Sequence, residues 1–324
     1  FFVPFGDWLV HNQLDAVVAS ALRIRGAEVL IVLCDGLMPK CYKLVRSEDP
    51  VGDCRRCSEQ GKEFFDAFQL PFVQLRDFLD PSALDECRKQ TQHLSAEELL
   101  AFTHNGVELG RRLAPSVCSY FRITQESLAE PHVLPFHREF LAYSLLAYRG
   151  LSGVFDQFDP THLFVFCGWG FMHSAAYLLA RQRKIKVVTH ERGYFDGSFM
   201  LVADEPCTDV NAWMKLIAAW EDIPLTREEC ERVRDYFHNR EVGKDTNFMS
   251  FFNFRAEHEK LRDQLKIPVD AKIFSVFTST EYELLYTWDE FHIVSTQMDV
   301  IDKLIEIFRN RKEYLVIRHH PNIT

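Results

Sequence analysis

The amino-acid sequence predicts an α/β fold with two similar halves in tandem. Three observations favour this class. Short apolar runs of strand length recur along the chain, glycine-containing turns follow several of them, and segments with apolar residues at helical spacing separate them. Strands that alternate with helices indicate βαβ units and a parallel sheet, so each half is expected to be Rossmann-like.

The clearest unit lies at residues 163–197. It begins with an apolar run of strand length, and Gly168 and Gly170 follow, which permit a tight turn and a close approach of the backbone. A helical segment with a basic end comes next, and a β-branched run at residues 185–189 completes the unit. This order predicts strand, turn, helix and strand.

Three ionisable residues, His190, Glu191 and Arg192, come directly after that last run. In an open α/β sheet, ligands bind outside the carboxyl ends of the strands. We therefore expect these side chains to form one wall of an active site. The alternative is an ordinary βαβ unit that ends in solvated polar residues.

The first unit occupies residues 1–33 and has a similar layout. An apolar strand, a loop and a helix lead to Gly26, which suits a helix C-cap, and a second strand follows. A glycine-rich dinucleotide fingerprint is absent from the sequence. The loop and helix start instead offer Asp7, His11 and Asp15, and a carboxylate beside an imidazole can supply a general base. The alternative is a helix cap with a solvated histidine.

The second half begins again with a strand at residues 272–278. An amphipathic helix at 297–310 and a strand at 313–317 follow it. We predict domains at 1–245 and 246–324, with a largely helical insertion at 59–155 in the first. Because two strands make an exposed half-sheet, the second domain is expected to be incomplete in this chain.

Four cysteines lie close together in the sequence, at Cys34, Cys41, Cys54 and Cys57. Thiols within so short a stretch, in segments predicted to be loops, are typical of a metal site. Zinc in a structural role is the first expectation, and an iron–sulfur cluster is the second. The alternative is a set of ordinary free thiols.

The bulk properties exclude one class of function. The net charge is −10 and the pI about 5.7, whereas a protein that binds nucleic acid through phosphate contacts needs a basic face. Neither a transmembrane run nor a secretory signal is found in the sequence. We expect a cytoplasmic protein, with peripheral contact at the inner face of the membrane left open.

An ordered set of motifs spans most of the chain. Its segments are Pro4-Phe5-Gly6-Asp7-Trp8 with His11, Cys34-Asp35-Gly36 with the later cysteines, Cys167-Gly168-Trp169-Gly170, His190-Glu191-Arg192-Gly193, Thr278-Ser279-Thr280-Glu281-Tyr282-Glu283, Gln297, and Arg318-His319-His320-Pro321-Asn322. This ordered set resembles bacterial capsule and surface-polysaccharide biosynthesis proteins of the GT-B glycosyltransferase type.

The resemblance implies a nucleotide-sugar donor and a glycan or lipid-linked acceptor. Departure of the donor's phosphate needs positive charge or oriented N–H groups, and the acceptor hydroxyl needs a base. The expected donor-binding residues are Ser279, Thr280, Glu281, Arg318 and His320.

On the acceptor side, Glu191 is the first choice for the base, and Asp15 and His11 follow. No Asp-x-Asp motif indicates a metal at the donor site. Other GT-B chemistry, such as sugar-nucleotide epimerisation or polyol-phosphate transfer, and a non-catalytic metal-stapled binding protein remain alternatives. The residues expected to line the acceptor side are Asp7, Gly168, Gly170, His190 and Arg192.

Overall fold

The structure is a computed structural model that describes residues 1–4, 6, 8–38, 41, 44, 47–193, 197–242, 258–280, 282 and 297–320. Internal contacts divide the chain into two compact units. The predicted domain boundary at 245/246 falls outside the described residues and stays a prediction. The first unit comprises Phe1–Arg192 and Phe199–Trp213, and the second comprises Gly193–Ser198 and Met214–Thr324.

The first unit is built on a six-stranded sheet in the order β3-β2-β1-β4-β5-β6. Strands β1 to β5 pair in parallel, and β6 pairs antiparallel to β5 at the edge. The prediction of an α/β fold is confirmed, and the order of the parallel strands is that of a doubly wound sheet. The strands are β1 (Phe2–Val3), β2 (Ile31–Leu33), β3 (Phe72–Gln74), β4 (His162–Phe166), β5 (Lys186–Arg192) and β6 (Phe199–Ala203).

The strand order reverses between β1 and β4, where Phe2 pairs with Phe164 and Val3 pairs with Val165. This reversal is the topological switch point, outside whose carboxyl ends an open sheet leaves a crevice. The sheet therefore directs the turns after β1 and β4 to one place.

Seven helices accompany the sheet within the described residues of this unit. Apolar side chains of α1 and α2 pack with the first strands into one core, in which Ala16, Ile31, Phe65 and Phe164 are buried. The helices are α1 (Leu9–Ile24), α2 (Pro50–Ala67), α3 (Ala83–Thr91), α4 (Ala96–Leu100), α5 (Leu109–Phe121), α6 (Leu134–Phe158) and α7 (Phe171–Gln182).

The predicted helical insertion at 59–155 is interrupted by a strand. β3 lies inside it and pairs with β2, from Ile31 opposite Phe72 to Leu33 opposite Gln74. Three residues are too few to establish a period of two, so the sequence pattern did not reveal the strand.

The prediction that His190, Glu191 and Arg192 follow the strand is also wrong. They belong to β5, because β6 pairs with its last residues: Glu191 lies opposite Met200 and Arg192 opposite Phe199. A ladder with β6 satisfies the backbone groups of β5 beyond the point where the parallel pairing with β4 ends.

The second unit contains a strand–helix–strand sequence. β7 (Ile273–Phe277) and β8 (Tyr314–Arg318) form a two-stranded parallel sheet, and α11 (Gln297–Phe308) lies between them in the chain. Arg318, predicted to follow the last strand, is its final residue. The other α-helices among the described residues are α8 (Val210–Trp220), α9 (Arg227–Glu241) and α10 (His258–Gln264).

None of the helices that the structure describes combines the length and the apolarity needed to cross a bilayer.

Candidate functional site

The candidate site lies at the switch point of the first unit, where the start of α1 meets the end of β5. Helix α1 begins at Leu9 and buries His11, Asn12 and Asp15 on one face. The spacing of His11 and Asp15 is one helical turn, so both face the sheet. Both were predicted as candidates for a general base, and the structure brings His11 to Glu191 and Asp15 to His190.

Asp15 and His190 form a buried pair. His190 Nε2 lies 3.1 Å from Asp15 Oδ1, and the side chains are 0% and 1% exposed. Burial raises the pKa of Asp15, and the hydrogen bond and positive charge of His190 oppose that rise. Because neither side chain reaches solvent, this pair can hold other groups in place but cannot touch a substrate.

His11 and Glu191 form the second pair. His11 Nε2 lies 3.5 Å from Glu191 Oε1, at the outer limit of a hydrogen bond. The backbone N–H of Arg192 also donates to Glu191 Oε1, at 2.8 Å. The Arg192 N–H therefore fixes the carboxylate, and His11 Nε2 is its neighbour without a hydrogen bond between them.

The four side chains differ in their access to solvent. The Glu191 side chain is 28% exposed, whereas that of His11 is fully buried. Burial raises the pKa of Glu191. Burial, with smaller contributions from the nearby His190, Arg192 and His173 groups, lowers the pKa of His11 to about 3. His11 is consequently a neutral imidazole near neutral pH, and Glu191 is the one accessible proton acceptor of the four.

Aromatic packing fixes the two imidazole rings. His190 stacks on Phe164 at 4.7 Å with an interplanar angle of 15°. The His11 ring packs edge-on against Phe166 and Trp8, with centroid separations of 4.4 Å and 4.7 Å. Rings held on two sides keep their nitrogens aimed at the carboxylates.

His173 is a further member of the cluster that the sequence interpretation missed. It lies in the first turn of α7, is nearly buried, and hydrogen-bonds the backbone carbonyl of Pro4. Burial lowers its pKa to about 3. A histidine just inside a helix that follows a glycine turn was the available signal, since that position faces the switch point.

The turns at the site contain glycines with positive φ, a backbone conformation that other residues rarely adopt. Gly6, Gly168 and Gly170 all have positive φ, at 52°, 80° and 88°. The side-chain amide of Asn12 donates to the Gly6 carbonyl at 2.5 Å and ties α1 to the turn. Asp7, predicted for the acceptor side, lies outside the described residues.

All four predicted cysteines line one cavity of about 70 Å³ beside the switch point. Cys34 follows β2, and Cys54 and Cys57 lie one turn apart on α2, not in a loop as predicted. Asp49 caps this helix by accepting from the Gly52 N–H at 3.0 Å. Helix α2 therefore begins early enough to carry both cysteines.

The thiols of Cys34, Cys54 and Cys57 lie close enough to influence one another's ionisation. Burial, with the adjacent Cys54 and Cys57, raises the pKa of Cys34 to about 12. Among the described residues, no three His, Cys, Asp or Glu side chains converge closely enough to hold a metal ion. The thiols surround the cavity without meeting at one point.

The predicted donor-side residues lie in the second unit. Ser279 and Thr280 follow β7, and the Ser279 N–H donates to Gln297 Oε1 at 2.7 Å at the start of α11. The backbone N–H of His320 donates to Thr278 Oγ1 at 2.8 Å. These bonds bring the segments after β7 and β8 together, and Arg318 ends β8. Glu281 lies outside the described residues.

Comparison with models of protein families, with curated proteins and with solved structures gives no match for this chain.

Proposed function

We propose that this chain is a glycosyltransferase that moves a sugar from a nucleotide-sugar donor to a hydroxyl group of a bacterial surface glycan or glycolipid. One observation supports it most strongly: a partly exposed glutamate with a raised pKa lies 3.5 Å from a buried histidine at the switch point of a doubly wound sheet. Such a group is suited to accept a proton from an acceptor hydroxyl.

Glu191 is the catalytic base in this proposal. Its carboxylate takes the proton of the acceptor hydroxyl while that oxygen forms a bond to the anomeric carbon of the sugar. The bond between that carbon and the donor phosphate breaks, and its electron pair leaves with the nucleotide phosphate. His11 acts as a positioning residue through its contact with Glu191, and the buried Asp15–His190 pair supports the same strand end.

The second unit supplies donor recognition. Ser279 offers its hydroxyl group after β7, while its N–H bonds Gln297 Oε1 and the neighbouring Thr280 is buried. Arg318 offers a positive charge at the end of β8. Phosphate oxygens accept from such groups, and the positive charge stabilises the leaving group. The finer fold assignment, the GT-B plan of two Rossmann-like domains, belongs to this proposal. It is supported by the repeat of strand, helix and strand in β7, α11 and β8.

The proposed reaction also implies its substrates and its location in the cell. A nucleotide-sugar donor and a glycan or lipid-linked acceptor place the reaction in the cytoplasm, at the inner face of the membrane. No metal is assigned to the donor site, since phosphate departure is given to Arg318 and the Ser279 hydroxyl.

The test has two stages. Binding of nucleoside mono- and diphosphates is first measured by calorimetry on the purified chain, and an Arg318→Ala variant is expected to bind at least tenfold more weakly. Product analysis with a panel of nucleotide sugars then distinguishes transfer or donor hydrolysis from epimerisation and phosphate-containing group transfer. If no nucleotide binds and no donor is consumed, the glycosyltransferase proposal is abandoned.

A further inference from the structure

We propose that the cavity lined by Cys34, Cys41, Cys54 and Cys57 binds one thiophilic divalent cation, Zn²⁺ in the cell. The four thiols reach the cavity from three parts of the first unit: the end of β2, the segment that follows it, and one face of α2. Cys54 and Cys57 are three residues apart on a helix, which is a spacing that puts two ligands on one side of an ion.

The chemistry of the wall favours a soft cation. Besides the thiols, Met38 and Met172 contribute thioethers and His173 contributes an imidazole to the same cavity. The one carboxylate of the wall, Asp35, is already engaged: its oxygens lie 2.6 Å from Lys62 Nζ and 3.2 Å from Arg76 Nε. Sulfur and imidazole ligands suit Zn²⁺, whereas Mg²⁺ and Ca²⁺ need several oxygens.

The cavity has room for the ion and for movement of its ligands. Its volume, about 70 Å³, exceeds the roughly 10–15 Å³ of cavity space that one water molecule needs. Since the thiols surround this space without meeting, each must turn inward to reach the Zn–S distance of about 2.3 Å. On binding, each thiol releases its proton to solvent as its sulfur bonds to the metal.

The position of the cavity gives the ion a structural role next to the candidate site. A methyl group at Gly6 would overlap Cys57 Sγ, so this thiol lies directly against the turn between β1 and α1. The same turn is tied to α1 through Asn12, one residue after His11. An ion held by Cys34, Cys54 and Cys57 would therefore link β2 and α2 beneath the turn that leads to His11.

The experiment titrates the full chain, purified under reducing conditions, with Cd²⁺. We expect the thiolate-to-metal charge-transfer absorbance to saturate at one equivalent and Zn²⁺ to abolish it by competition, while excess Mg²⁺ leaves it unchanged. The Cys54→Ser/Cys57→Ser double variant is expected to lose more than about 100-fold in affinity, since even the loss of a group that only supports a ligand costs 10–100-fold. Cys230→Ser, in α9 and not among the residues that line the cavity, is the matched control.

A second measurement does not depend on the folding of a variant. Co²⁺ added to the unaltered chain is expected to give the visible absorption of a tetrahedral thiolate site, and Zn²⁺ to raise the unfolding temperature. Absence of saturable Cd²⁺ absorbance, a Co²⁺ spectrum of octahedral type, or equal Cd²⁺ affinity in the double variant and Cys230→Ser would each overturn the proposal. Binding of an apolar probe in the cavity without metal binding would point to a different occupant.

Discussion

His190 Nε2 lies 3.1 Å from Asp15 Oδ1, and both side chains are buried. The pair joins the last strand residues of one βαβ unit to the first helix of another.

Asp15→Ala is expected to lower the free energy of unfolding by about 3–5 kcal/mol, because it leaves His190 buried without its partner. The measurement is urea denaturation at pH 7. The matched control is Glu130→Ala, which breaks an exposed pair with His132 at 3.5 Å and should cost less than about 1 kcal/mol. Equal effects of the two substitutions would contradict the buried-pair interpretation.

Glu191→Gln keeps the shape of the side chain and removes its ability to accept a proton. If the proposed function is right, kcat/KM falls by about 10²–10⁴ while donor binding is retained. Because burial raises the pKa of Glu191, the acidic limb of the pH–rate profile should lie above the ordinary glutamate value of 4.5. That limb should vanish in the variant.

The control for this prediction is Glu97→Gln, an exposed residue of α4. It should leave both the rate and the pH profile unchanged. A Glu191→Gln enzyme with the normal acidic limb would assign the base elsewhere in the cluster.

The buried His137 predicts a pH-dependent stability that does not involve the site. Burial lowers its pKa from 6.5 to about 4. Between these values the unfolded chain binds a proton that the folded chain does not, so stability is complete above pH 6.5 and is lost as the pH falls. The loss of unfolding free energy attributable to this residue is about 3–4 kcal/mol across the window, at roughly 1.4 kcal/mol per pH unit.

His137→Leu should therefore reduce the slope of the unfolding free energy against pH between pH 6.5 and 4. The reduction should correspond to about one proton fewer taken up on unfolding. Urea denaturation at several pH values measures the slope. His132→Leu is the control, because that imidazole is 65% exposed and remains in solvent after folding. An unchanged slope for His137→Leu would show that the residue is protonated in the folded state.

Two glycines in helices predict opposite results on substitution by alanine. A methyl group at Gly110 of α5 would overlap the Leu99 carbonyl oxygen, a backbone atom that cannot move cheaply. Gly110→Ala should lower the free energy of unfolding by at least about 1–3 kcal/mol, the usual cost of overpacking. At Gly61 of α2, the nearest atom would lie 3.4 Å away. Gly61→Ala should be neutral or stabilising by up to about 1 kcal/mol, from helix propensity alone.

Thermal or urea unfolding of the two variants measures this difference. A Gly110→Ala variant as stable as Gly61→Ala would mean that α4 and α5 approach less closely than the structure indicates.

Sequence reasoning reached the α/β class because strand and helix periods are local properties of the chain. It predicted that His11 and Asp15 share a helix face, since that spacing is set by the helix. It also predicted that both they and Glu191 lie at the carboxyl edge of the sheet. The pairing of Asp15 with His190 depends on which strands are neighbours in the sheet. The periodicity within each segment does not predict that order.

Other differences arose where a signal was short or was misread. β3 has three residues, too few for a pattern, and β5 extends through Arg192 because β6 pairs with it. For Cys54 and Cys57 a signal was present: Asp49 followed by Pro50 is typical of a helix start. The spacing of the cysteines was interpreted as that of metal ligands in a loop, and the helix start beside them was missed.

The placement of β4 beside β1 has a consequence for how the protein is made. The helices between β3 and β4 can form early from local contacts, but Asp15 must wait for His190, which is synthesised near the end of the first unit. Until the ribosome has released β4, the edge of β1 beside it is open, and until it has released β5, Asp15 of α1 has no partner. Nascent chains halted before residue 192 are therefore expected to be more prone to aggregation and to chaperone binding than chains that have passed it.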